Sequence, residues 1–101
     1  MSISEHRLQQ LASRLAELEA RLASGTLEGD AFVTVSRDYA ELEPVARIAS
    51  EVIAMRVELQ SLTALDDPDP EMRALAQEEV ERIKGELPDA ERRLALAMLP
   101  R

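Results

Sequence analysis

Leu65-Asp66-Asp67-Pro68-Asp69-Pro70-Glu71-Met72 is the stretch where one long apolar pattern stops and another starts. Proline donates no backbone hydrogen bond and aspartate bonds to its own neighbouring backbone, so no helix is expected to run through residues 66–70. Asp69 can cap a new helix, and Pro70 suits the first helical position because its missing donor would be unpaired there anyway. Downstream, Met72, Leu75, Val80, Ile83, Leu87, Leu94 and Met98 lie on one side of a helix. Gly85 and Pro88 fall inside it and predict a bend near Leu87, and Pro100 ends it.

Upstream of the break, Val45, Ile48, Val52, Met55, Leu59 and Leu62 keep helical spacing, as do Phe32, Val35, Tyr39 and Leu42 before them. Pro44 separates the two sets, its ring crowding the carbonyl of Ala40. The reading is one long helix over residues 30–65, kinked at Glu43-Pro44, with two helices in line as the alternative. If continuous, it reaches about 50 Å. Asp30 is the expected N-cap.

At the start of the chain, Ser2-Ile3-Ser4-Glu5 reads as a capping box, with Ser2 and Glu5 answering each other. Leu8, Leu11, Leu15, Leu18 and Leu22 then recur in steps of 3, 4, 3 and 4, a narrow seam that requires a partner helix. Arg7, Arg14 and Arg21 repeat beside it and are read as pairing with acidic residues on neighbouring helices. Gly25 supplies the stop. Helices over roughly 3–24, 30–65 and 70–99 with short connections give an all-α, elongated antiparallel three-helix bundle. Its two long helices form a hairpin whose tip is residues 66–70, and residues 1–101 make one domain.

Composition agrees. Of 101 residues, 46% are apolar yet only Phe32 and Tyr39 are aromatic. With 12 basic and 20 acidic side chains the formal charge is -8, which repels a phosphate backbone, and stacking aromatics are scarce. Direct nucleic-acid binding by this segment is therefore not expected. Without cysteine there is no disulfide or thiolate metal site, which suits a reducing cytoplasm. No apolar stretch approaches the roughly 20 residues of a membrane span, and none resembles a signal peptide.

Convergent chemistry is missing. His6 is the sole histidine, sits in the first helical turn and reads as a surface side chain. Asp67, Asp69, Glu71 and Glu78 take positions 1, 3, 5 and 12 of an EF-hand-like loop. However, Met72 replaces the glycine of the sharp turn, and Pro70 starts a helix where the loop should continue. These residues read as a capping turn, not a calcium site. Met55, Met72 and Met98 share the leucine spacing and read as core, as do Phe32 and Tyr39, seven residues apart. No enzyme, metal or cofactor is expected.

Two segments carry a resemblance. Ser36-Arg37-Asp38-Tyr39-Ala40-Glu41-Leu42-Glu43-Pro44 resembles a tyrosine-containing stretch of the bacterial peptide chain release factor 1 family. Leu65-Asp66-Asp67-Pro68-Asp69-Pro70-Glu71-Met72-Arg73, followed by Ala76-Gln77-Glu78-Glu79, is similar to that family's second hallmark. The ending Ala97-Met98-Leu99-Pro100-Arg101 resembles the leucine-rich run that leads into its next domain. Both hallmark segments look closer to factor 1 than to the sister factor reading UAA and UGA. Gly85 and Pro88 depart from the family's unbroken, charged third helix.

The resemblance implies the N-terminal domain of a cytoplasmic factor that directs peptidyl-tRNA hydrolysis at UAA and UAG codons on the ribosome. The Gly-Gly-Gln and Pro-x-Thr loops on which that work depends lie in later domains, so the chain is expected to be a non-catalytic fragment. The family's first domain projects toward a protein at the stalk base of the large subunit, and Asp66, Asp67, Asp69 and Pro70 are the expected contact, chosen from their place at the hairpin tip. The alternative is a free-standing, dimeric coiled-coil interaction module, disfavoured by the Pro44 break in the heptads.

Overall fold

The computed structural model describes residues 3–100. Ser4 starts the first helix, α1 (Glu5–Ala23): its backbone is extended and its Oγ accepts the Arg7 N–H at 3.1 Å. Ser2, on which the capping-box reading rests, lies outside the described residues. Ser24 closes α1, and Gly25 follows with φ at 72°, the left-handed conformation that glycine adopts without a Cβ clash.

The second helix, α2 (Gly29–Thr63), is capped by Glu28 through its backbone alone. Asp30, the expected N-cap, is instead inside the first turn, where its charge faces the positive end of the helix dipole. After the turn at residues 66–70, α3 (Pro70–Ala97) begins as the sequence suggests, with Asp69 as N-cap.

Both internal prolines sit within unbroken helices, Pro44 in α2 and Pro88 in α3, so α2 is one helix and not two in line. Each proline removes the donor to the carbonyl four residues back, from Ala40 and Lys84 respectively. Both of those residues are exposed, so water can satisfy what the helix does not. Leu42, Val45 and Ile48 pack against the core on either side of Pro44, and their burial offsets the local penalty.

The molecule measures 61 × 29 × 18 Å, with a radius of gyration of 18.0 Å. A compact chain of this length would have about 13 Å. The elongation follows from α2, whose 35 residues set the long axis. As α1 runs forward from Leu8 to Arg14, its neighbours on α2 run back from Val52 to Asp38. The third helix is antiparallel to α2 as well. Glu91 meets Arg56, and two residues further along α3 Arg93 meets Glu51, which lies earlier on α2.

Among the described residues, α1 and α3 bring no Cα atoms within 8 Å of each other, and each packs on α2. With 19 and 28 residues, they are together longer than the 35-residue α2, so they overlap only part-way along it. That overlap holds the core: Leu8 and Leu11 of α1, Ala49 and Val52 of α2, and Ala90 and Leu94 of α3. Alanines at 49 and 90 let three helices share one cross-section, while each fully buried leucine contributes about 1.5–3 kcal/mol. Toward either end the bundle thins to two helices. There Leu18 and Val35 are buried on the α1 side, and Val80 and Ile83 on the α3 side.

This stagger corrects part of the expected core. Phe32 is 51% exposed, Met72 47% and Leu75 53%, because each lies where α2 or α3 has only one neighbour. Tyr39 and Met55 are half-buried. No polar or charged residue is buried among the described residues.

Candidate functional site

The four residues expected to make a contact, Asp66, Asp67, Asp69 and Pro70, do share one turn at the α2–α3 end of the molecule. Its shape comes from local hydrogen bonds. Asp67 Oδ1 accepts the Asp69 N–H at 2.9 Å, and Asp69 Oδ1 accepts the Glu71 N–H at 3.0 Å. Each aspartate thus fixes the backbone two residues on, a turn in series with a helix cap.

Arg73, one helical turn into α3, completes the corner. Its Nη1 donates to the carbonyl oxygens of Asp67 and Pro68, both at 3.0 Å. One guanidinium thereby satisfies two carbonyls of the turn, which lie outside either helix. Arg73 is a residue that sequence reasoning misses. Its one signal is the four-residue spacing from Asp69, which places a cation above the cap.

Asp66, Asp69 and Pro70 are exposed and Asp67 is half-buried. Leu65, just before them in the chain, is 51% exposed, and Met72 and Leu75 of the first turns of α3 are also exposed. The result is an acidic corner with exposed apolar side chains nearby in the chain, its backbone held by its own hydrogen bonds. Such a surface can dock on protein by charge and apolar contact without ordering a loop first.

The same geometry answers the calcium pattern. Asp67 and Asp69 each turn an oxygen onto backbone N–H groups, and Glu78 is carried away along α3. Among the described residues, no three histidine, aspartate or glutamate side chains could hold a metal ion. His6 is exposed in the first turn of α1. Arg14 reaches Glu17 at 3.2 Å within its helix and Asp38 of α2 at 4.0 Å. A shallow hollow of about 320 Å³ lies beside that pair, lined by both signs of charge. On α3, the Arg82 guanidinium holds the Glu79 carboxyl below its ordinary range, and Glu79 and Glu86 push Arg82 up in return. No helix is long and apolar enough to cross a membrane among the described residues.

Comparison with known proteins gives this geometry a context. The model of the PCRF domain matches residues 11–101. Over its whole length the chain is 70% identical to peptide chain release factor 1 of Novosphingobium aromaticivorans and 60% identical to that of Erythrobacter litoralis. It is 44% identical to the protein of the same name from Zymomonas mobilis. In each case the match covers 100% of this chain and 28% of the relative, so the chain spans little over a quarter of the length of these curated relatives. No solved structure matches it significantly. The chain belongs to the PCRF-domain family.

Proposed function

We propose, from membership of the PCRF-domain family, that the chain is the N-terminal domain of a bacterial translation termination factor of the release factor 1 type. The observation that carries this reading is 70% identity along all 101 residues to a protein of that name. Within the longer factor it serves as a non-catalytic, ribosome-facing module in the cytoplasm. The intact factor directs peptidyl-tRNA hydrolysis at UAA and UAG codons, using groups outside this chain.

The contact we assign to Asp66, Asp67, Asp69 and Pro70 is with a protein at the stalk base of the large subunit. A position at one end of a 61 Å body and the rigid acidic corner support it. A net charge of -8 favours protein over ribosomal RNA as the surface met there. The dimeric coiled-coil reading has little to recommend it, because Leu8, Leu11 and Leu18 of the α1 seam are already buried within one chain.

A release assay on ribosomes programmed with each stop codon tests the identity. The full-length factor should release peptide at UAA and UAG and not at UGA; release at UGA would overturn the assignment to factor 1. For the contact, Asp66→Lys suits best because Asp66 makes none of the cap hydrogen bonds described. It should weaken ribosome affinity several-fold and leave the release rate at saturation unchanged. Unaltered affinity would remove the tip from the contact.

A further inference from the structure

On α3, Arg82, Arg92 and Arg93 each hold a carboxylate, whereas Arg73 and Lys84 take part in none of the described ion pairs. Those two cations line the same groove. It lies between the end of α2 and the start of α3, encloses about 280 Å³, and is floored by Leu62, Leu65, Ala76 and Val80. No carboxylate lines it, although the chain carries 20 acidic side chains. Arg73 Nη1 is committed to the tip carbonyls, so its charge stays fixed at the groove's outer end. Lys84, the single lysine of the chain, stands about three helical turns further in.

We propose that this groove is a docking site for a short amphipathic segment of a partner protein that presents a leucine-type side chain flanked by glutamate or aspartate. The aliphatic group would cover Leu62, Leu65 and Ala76, and a carboxylate would meet Lys84. A volume near 280 Å³ suits one or two side chains and falls at the small end for a whole organic ligand. The charge pattern also limits the partner. Since the rest of the molecule is strongly acidic, a long acidic run would be repelled, and one or two carboxylates beside an apolar anchor fit best. This surface adjoins the acidic corner, sharing Arg73 with it, but asks for the opposite charge and centres on Lys84, so it does not depend on the proposed function.

The test is titration of the chain with a fluorescein-labelled peptide built from leucine and glutamate, followed by amide chemical-shift mapping. Saturable binding is expected, with the shifts gathered at Leu62, Ala76, Val80 and Lys84. Lys84→Glu should weaken it at least tenfold while leaving the helical melting curve in place, and replacing the peptide's glutamates by glutamine should do the same. Absence of binding at millimolar peptide would overturn the proposal, as would equal affinity for Lys84→Glu or shifts centred on α1. Lys84-dependent self-association in sedimentation, competing with the peptide, would replace the partner segment with a second copy of the chain.

Discussion

Arg56 and Glu91, thirty-five residues apart in sequence, join α2 to α3 through an Nη2–Oε2 contact of 3.1 Å. Their side chains are only 25% and 15% exposed, whereas Arg92 and Asp89 are 71% and 70% exposed. Shelter from water strengthens the attraction and raises the cost of leaving either partner alone. A double-mutant cycle on Arg56 and Glu91 by urea unfolding should give a coupling of about 1 kcal/mol, and one on Arg92 and Asp89 about 0–0.5 kcal/mol.

Leu94 is fully buried where all three helices meet. Leu94→Ala should destabilise the chain by about 2–5 kcal/mol. Phe32→Ala, at a residue half in solvent, should stay within about 0.5–1 kcal/mol despite removing a larger side chain. Equal losses in thermal unfolding would mean that Phe32 is covered in solution.

Two aspartates near helix starts should behave differently. Asp69→Ala removes a cap hydrogen bond and should cost about 1 kcal/mol. Asp30→Ala removes only a charge in the first turn of α2 and should cost a few tenths of that. Chemical denaturation of the two variants side by side decides the matter.

The Glu79 carboxyl titrates below its ordinary value of 4.5 because Arg82 donates to it. A depressed folded-state pKa contributes stability that is fully present above 4.5 and is lost as pH falls through the lower value. Arg82→Gln should therefore return the Glu79 titration, followed by carboxyl NMR, toward the ordinary range. Because the pair is solvent-exposed, the change in overall stability should be small.

Much of the fold is legible in the sequence because its signals are local. The spacing of Leu8, Leu11 and Leu18 marks a buried stripe, and Gly25 and Asp69 mark a helix end and a helix start by their own backbone chemistry. The choice among neighbouring caps is not legible. Ser4 caps α1 through its side chain, whereas Glu28 starts α2 without using its own. Phe32, Met72 and Leu75 depart from the expected core for another reason. Whether an apolar stripe is covered depends on where the neighbouring helix stops, which spacing within one helix does not encode. The acidic corner can be placed at the tip from its prolines, but the Arg73 clamp depends on how the turn folds back against α3, and the Lys84 groove arises only once α2 and α3 lie side by side.

The partial overlap of α1 and α3 along α2 bears on how such a domain can diversify. Residues near Phe32 and residues near Leu75 sit beside opposite ends of the long helix and share no packing neighbour, so the energies of substitutions at the two ends should simply add. Either end can then acquire a new specificity without compensating changes at the other, provided the small cross-section at Ala49 and Ala90 stays small.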